Sequence, residues 1–210
     1  MKFSLLGKPL LLALLLFAIF YPQAPLYTDN QNTKFLHGAA NAGWGHLAAD
    51  WTANTLDPLP VFTALVEAVY RWLPTGAFHA LFALLVAVYG WAVIGIARSI
   101  HPGGLEGSTA WIFAALFALL HFTPLNAELL DGVAKQYILD HYLQPCVFGV
   151  LVLLAIRLTL DRRNLPAALC LAAAVLFHPG AYLMAAALIL AVMVWRELKQ
   201  KTSYMKAVAP

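Results

Sequence analysis

Apolar residues follow one another in long runs along this chain. The runs cover residues 5–21, 60–73, 77–97, 108–122, 145–160, 166–177 and 180–195. A straight membrane crossing needs roughly 20 apolar residues, and several of these runs are shorter. Short or broken helices are tolerated at membrane depth where protein covers their ends. The pattern therefore predicts an all-α polytopic membrane bundle of about 6–7 apolar helices, several of them short or re-entrant.

The composition supports a membrane protein and excludes one class of partner. The chain is 62% hydrophobic and 11% charged, with a mean hydropathy of +0.75. Soluble domains are usually about 25% charged, so lipid must cover much of this surface. The net charge of +3 is spread along the chain and forms no basic patch, which excludes nucleic-acid binding. Cys146 and Cys170 lie inside apolar runs and are predicted to be small core residues.

The chain is predicted to be one membrane domain, 1–210. Lys2 and Lys8 precede an apolar stretch that no clear small-residue cleavage site follows, which favours a retained first helix over residues 1–21 rather than a signal peptide. A large outer loop with amphipathic helices occupies 22–59, and the remaining bundle occupies 60–197. A basic polar tail, 198–210, ends the sequence.

The distribution of lysine and arginine predicts the orientation. Basic residues occur near the N-terminus, at Arg98, at Arg162 and Arg163, and from Arg196 to Lys201. If 60–73 enters the bilayer from the outer face without crossing it, every basic cluster lies inside and the N-terminus is cytoplasmic. The acidic loops 22–59 and 123–144 then lie outside. If 60–73 crosses fully, three basic clusters lie outside, which breaks the rule.

The composition of 60–73 favours the first of these topologies. Thr63, Glu67 and Arg71 recur every four residues and are predicted to form one polar stripe. Glu67 and Arg71 have the i,i+4 spacing of a helical ion pair. Such a stripe suits an interfacial or protein-covered helix.

The outer loop contains most of the candidate chemistry. Asp29 and Asn30 are typical N-cap residues, and a helix is predicted over 31–41. Asn30, Lys34 and His37 would share one polar face of that helix. Asp29 is interpreted either as a cap or as a carboxylate that acts as a general base or metal ligand.

Four further stretches carry candidate residues. Asp50-Trp51 suits the membrane interface, and Asp57-Pro58-Leu59-Pro60 indicates a turn that re-enters the bilayer. In the second loop, Lys135, Gln136 and Tyr137 belong either to a helix in which Lys135 pairs with Asp131 or to a surface that meets an anionic group or a sugar hydroxyl. His178 lies in the "FHPG" turn, where an ionisable residue near the membrane is a functional candidate. The histidines lack the close, regular spacing of a metal site.

This order of elements resembles the GT-C superfamily, membrane glycosyltransferases that take a sugar from a polyprenyl-phosphate carrier. The resemblance rests on a first helix, a loop that opens with "DN" at 29–30, the helix "KFLHGAANAG", Asp50-Trp51 and the re-entry "DPLPVFTALVEAVYRW". It is similar to the N-terminal half of such an enzyme. The "NQN", "FLHG", "DW" and "HP" elements also resemble those of bacterial membrane proteins, which implies a bacterial inner or plasma membrane.

The resemblance implies roles for particular residues. Asp29 would act on the acceptor, as a base or through a divalent cation, and the cofactor is otherwise unknown. Asp50 would have a more structural than catalytic role, and His178 would face the lipid phosphate. The candidates for substrate binding are Asn30, Lys34, His37, Asp50, Lys135, Gln136, Tyr137 and His178. The expected partners are membrane lipid, a polyprenyl-phosphate sugar and a partner membrane protein.

Two other functions compete with sugar transfer. A non-catalytic membrane module would bind a lipid carrier or a partner helix bundle with the same polar loops. A small transporter would show broken helices at matching positions in two halves, and the sequence contains no such repeat.

Overall fold

The structure is a computed structural model that describes residues 8–101, 103, 105–122 and 138–208. These residues form helices and turns without a strand, which confirms the all-α prediction. The predicted site residues Lys135, Gln136 and Tyr137, and the pairing of Lys135 with Asp131, fall outside the described residues.

The α-helices follow the apolar runs and the amphipathic loop segments. Their bounds are α1 Lys8–Phe20, α2 Gln31–Lys34, α3 Leu36–Asn41, α4 Pro60–Trp72, α5 Gly76–Ile100, α6 Gly107–Phe122, α7 Val150–Leu160, α8 Asn164–Phe177 and α9 Pro179–Val208. Short 3₁₀ turns occur at Leu47–Ala49, Thr52–Asn54 and Pro145–Gly149. Pro60 occupies the first turn of α4, where its missing N–H has no intrahelical partner to lose.

Two of the described helices are long and apolar enough to cross a membrane, Gly76–Ile100 and Pro179–Gln200. Four other apolar helices are shorter, at Leu10–Phe20, Gly107–His121, Pro145–Leu160 and Asn164–Phe177. The expected bundle of six to seven spans stays a prediction.

The long helix α5 occupies the centre of the packing. It contacts α1 on one side and α7 on another, and α8 then packs between α7 and α9. Gly95 permits the close contact of α5 with α7, because a Cβ there would clash with Cδ of Arg157. Arg157 donates to the carbonyl of Gly95 and to the hydroxyl of Ser99, and pairs with Asp161 at 3.0 Å. These contacts neutralise an arginine in an apolar environment.

The first loop is part of the main hydrophobic core. Phe35 and Ala39 are buried in the same cluster as Phe62 of α4 and Phe78 of α5. The predicted helix over 31–41 is interrupted at Phe35, which separates α2 from α3. Because the apolar side chains of this segment pack inward, its polar side chains are held on a rigid support.

Helix α4 carries the predicted ion pair. Nε of Arg71 lies 2.8 Å from Oε1 of Glu67, as the i,i+4 spacing predicts. Thr63, one more residue of the predicted polar stripe, is buried where α3 packs on α4, so this end of the stripe is covered by protein. The missing side chain of Gly38 makes this contact possible, since a Cβ there would lie 2.8 Å from the Thr63 carbonyl oxygen.

Candidate functional site

The buried side chain of Gln31 connects the first loop to segment 138–149 through hydrogen bonds. Oε1 of Gln31 accepts from the Tyr27 N–H at 2.8 Å, and Nε2 of Gln31 donates to the Leu143 carbonyl at 3.0 Å. The Ala24 N–H donates to the His141 carbonyl at 2.6 Å. Both polar ends of the Gln31 side chain are therefore used, so the glutamine sets how residues 27–31 lie against 141–144.

The side chains of Asp29 and Asn30 contact residues of segment 138–149 and do not cap α2. Asn30 stands at the N-cap position without a side-chain cap hydrogen bond, and Asp29 adopts a left-handed φ of 47°. The Tyr142 hydroxyl donates to Oδ2 of Asp29 at 3.3 Å. Nδ2 of Asn30 lies 3.5 Å from Oε1 of Gln144. The expectation of a capping role is thus corrected: both side chains reach across to another part of the chain.

Gln144 and Asp140 extend the polar cluster inward. Gln144 is buried, and its Nε2 donates to Oδ2 of Asp140 at 2.6 Å. Burial, with smaller contributions from the carboxylates of Asp140 and Asp29, raises the pKa of Tyr142 to about 12. The phenol therefore keeps its proton near neutral pH and serves as a donor to Asp29.

Lys34 lines a polar pocket of about 240 Å³. The pocket wall includes His37, Asp57 and the hydroxyl-bearing residues Thr33, Thr52, Thr55 and Thr63. Lys34 is partly buried and has no ion-pair partner among the residues that the structure describes. The pocket thus combines the Lys34 ammonium group and the Asp57 carboxylate with threonine hydroxyls, of which those of Thr33 and Thr55 donate to the backbone carbonyls of Asn30 and Thr52. The N–H groups of Lys34 can donate to an anion.

Side-chain hydrogen bonds of His37 and Asp50 to the backbone of residues 52 and 53 stabilise the rest of the pocket wall. Nδ1 of His37 lies 2.9 Å from the Ala53 carbonyl, which can only accept, so this nitrogen carries the proton. Oδ1 of Asp50 accepts from the N–H groups of Thr52 and Ala53 at 2.8 and 3.1 Å. A hydrogen bond from the Thr52 side chain first, and then those from the N–H groups of Ala53 and Thr52, lower the pKa of the Asp50 carboxyl. Asp50 therefore shapes the 3₁₀ turn that brings Thr52 to the pocket.

His178 separates α8 from α9 and lies within the electrostatic reach of Lys34. Its Nδ1 accepts from the Ala181 N–H at 3.3 Å, so the neutral ring carries its proton on Nε2. Burial, and to a smaller extent the charge of Lys34, lowers the pKa of His178 below its ordinary value of 6.5. At neutral pH this imidazole is an uncharged hydrogen-bond donor.

Asp29, Asn30, Lys34 and His37 lie on one loop segment, as the sequence predicts. His178 comes from a distant part of the chain, and the charge of Lys34 contributes to its electrostatic environment. Asp50 supports the loop. Sequence reasoning missed Gln31 and Tyr142 and left Gln144 outside the site. The sequence signal that could have identified these residues is that each is a polar side chain close to an apolar run.

The described residues do not assemble an evident metal site. Within them, no group of three or more His, Cys, Asp or Glu side chains is placed to hold a metal ion. Asp29 meets a phenol and Asp50 meets backbone N–H groups. The divalent cation that the resemblance implies therefore does not fit these residues, and no chemical step is derived through it.

Comparison with known proteins gives no match: no family model, no curated protein and no solved structure is similar to this chain.

Proposed function

We propose that this chain is an integral membrane protein that holds the phosphate of a lipid-linked substrate at the membrane surface beside residues 22–59. The observation that carries the proposal is Lys34, a partly buried ammonium group that lacks an ion-pair partner within the described ranges and lines a threonine-rich pocket. A partly buried charge is costly unless an opposite charge compensates it. The apolar helices Gly76–Ile100 and Pro179–Gln200 support the membrane assignment.

The pocket supports an anionic group that accepts from Lys34. A phosphate offers several strong acceptor oxygens, and the Lys34 ammonium group supplies N–H donors at the pocket wall. Its volume of about 240 Å³ suits a headgroup and not a lipid chain.

The finer proposal is GT-C-like transfer of a sugar from a polyprenyl-phosphate carrier. Asp29 would take the proton of the acceptor hydroxyl while that oxygen bonds to the anomeric carbon. The bond from this carbon to the phosphate oxygen would break, and its electron pair would leave with polyprenyl phosphate, whose charge Lys34 balances. Attack opposite the leaving group would invert the sugar. A general base contributes typically about 10²–10⁴-fold, and positioning in the membrane supplies further rate.

A second candidate function is non-catalytic binding of the lipid carrier or of a partner membrane protein. It is favoured by an open apolar groove of about 400 Å³ between α1 and α6, whose lining includes Leu16, Phe17, Trp111 and Ala115. Such a groove takes an isoprenoid chain or a helix without any chemical step.

Binding of farnesyl phosphate to the chain in lipid nanodiscs tests the phosphate site. We expect saturable binding that farnesol does not reproduce. Lys34→Ala should weaken it by about tenfold or more, because a charge-assisted contact is lost, and Lys34→Arg should retain most of it. Lys8→Ala, which removes an exposed lysine at the start of α1, is the matched control. Equal binding by wild type and Lys34→Ala would refute the phosphate site.

Release of farnesyl phosphate from a panel of farnesyl-phosphate sugars separates the two functions. In the transferase, Asp29→Asn should abolish release while binding of farnesyl phosphate persists. Binding without release by the wild-type chain would select the non-catalytic function.

A further inference from the structure

A second pocket, of about 460 Å³, opens beside the first loop, and four aromatic side chains contribute to its lining. Tyr27, Phe35, Trp44 and Tyr70 supply the rings. The pocket shares only Leu36 with the lining of the Lys34 pocket. It is therefore a separate site, and the inference drawn from it does not rest on the proposed function.

The aromatic groups are held in a defined arrangement. The rings of Trp44 and Tyr70 have centroids 4.5 Å apart, and Nε1 of Trp44 lies 3.5 Å from the Tyr70 carbonyl oxygen. The Tyr70 hydroxyl donates to the Tyr27 hydroxyl at 3.1 Å. Tyr70 is buried, whereas Tyr27 and Trp44 remain 45% and 43% exposed, so the two outer rings can still meet a ligand.

Unusual backbone conformations present both exposed rings. Tyr27 has a φ of 67°, which a bulky residue rarely adopts. Trp44 stands between Gly43 and Gly45, whose φ values of 78° and 53° favour glycine. The conformation of Tyr27 costs free energy, and such strained residues concentrate at ligand sites, whereas the two glycines adopt theirs without that cost.

The polar groups of the pocket select among ligands. Asn32 and His46 are exposed at its wall and offer hydrogen-bonding groups. The described lining residues include neither a carboxylate nor a lysine or arginine. An aromatic wall with such hydrogen-bonding groups suits a ligand that has an apolar face and a polar edge. A pyranose ring has this character, since its C–H face packs on the negative face of an aromatic ring while its hydroxyl groups form hydrogen bonds.

We infer that this aromatic pocket binds a saccharide, with Trp44 packing on a pyranose face and Asn32 bonding to ring hydroxyl groups. The saccharide is recognised through its ring and needs no phosphate or lipid chain. The Lys34 site therefore plays no part in its binding.

Saturation-transfer NMR with methyl glycosides tests this inference on the full chain. Polyoxyethylene-ether micelles are the required host, since they contain neither a sugar nor an ammonium group. At least one pyranoside should bind saturably. Trp44→Ala should weaken it by about tenfold or more, and Asn32→Ala by about threefold to tenfold. Trp51→Ala, which removes an exposed tryptophan outside the pocket, is the matched control, and circular dichroism verifies the folding of each variant.

Three results would overturn the inference. One is the absence of saturable binding by any glycoside in the panel. Another is binding that Trp44→Ala leaves unchanged, which would place the saccharide elsewhere. The third is saturable binding of choline without binding of any glycoside, which would identify a cation cage. Lys34→Ala should leave glycoside binding unchanged, so failure of the phosphate site and failure of this pocket are distinguishable.

Discussion

The Tyr142 hydroxyl donates to the Asp29 carboxylate at 3.3 Å, although the two residues are 113 positions apart. Asp29 opens the polar first loop, and Tyr142 precedes the 3₁₀ turn that leads into α7. The contact therefore fixes the candidate base with respect to the helical core. Its length and the exposure of Asp29 place it among the weaker hydrogen bonds to a charged group.

A double-mutant cycle measures this contact. Tyr142→Phe and Asp29→Asn each remove one partner, and the free energy of unfolding in mixed micelles should give a coupling of about 0.5–1.5 kcal/mol. Tyr142→Phe paired with Asp57→Asn is the control, because no hydrogen bond links those residues in the structure. Strictly additive effects in the Tyr142–Asp29 cycle would contradict the contact.

Gln31 should be the most sensitive polar residue of the loop. Gln31→Leu keeps a similar volume but leaves the Tyr27 N–H and the Leu143 carbonyl without their partner. The buried Leu143 carbonyl costs about 1–3 kcal/mol when unsatisfied, and the part-buried Tyr27 N–H costs less, so we expect the free energy of unfolding to fall by about 1–4 kcal/mol. The neighbouring Asn32→Leu changes an exposed side chain and should change stability by less than about 0.5 kcal/mol. Similar stabilities of the two variants in SDS titrations would argue against the buried hydrogen bonds of Gln31.

The sequence predicts the helices around this site better than the contacts between distant segments that form it. Apolar runs place most helices, and the spacing of Glu67 and Arg71 predicts their ion pair, because both signals are local. The contacts of Gln31 with Leu143 and of Asp29 with Tyr142 depend on how distant segments meet, which no local pattern records. Asp29 and Asn30 have typical capping side chains, yet in the structure they contact Tyr142 and Gln144 and do not cap α2.

The pH dependence of His178 follows from its burial and from Lys34. Both lower the pKa of the imidazole below its ordinary value of 6.5, so the unfolded chain binds this proton more readily than the folded chain. Stability due to His178 is therefore present above pH of about 6.5 and is lost as the pH falls below that value. NMR titration of labelled histidine, assigned with His178→Gln, should give a midpoint below 6.5, and Lys34→Ala should raise it. His178→Gln should also reduce the loss of stability on acidification. A midpoint at or above 6.5 would disprove the predicted environment.

The proposed membrane orientation makes a separate prediction about accessibility. Lysine and arginine concentrate on the inner side of membrane proteins, so the loop between α7 and α8, which carries Arg162 and Arg163, should face the cytoplasm. In a background with Cys170→Ser, a membrane-impermeant maleimide should not label Arg163→Cys in intact cells. It should label Leu56→Cys, because Leu56 is 94% exposed in the first loop. Permeabilised cells should give labelling of both, which verifies that each cysteine reacts. Labelling of Arg163→Cys in intact cells would mean that α4 crosses the bilayer, and it would place the Lys34 pocket and the Arg163 loop on the same side of the membrane.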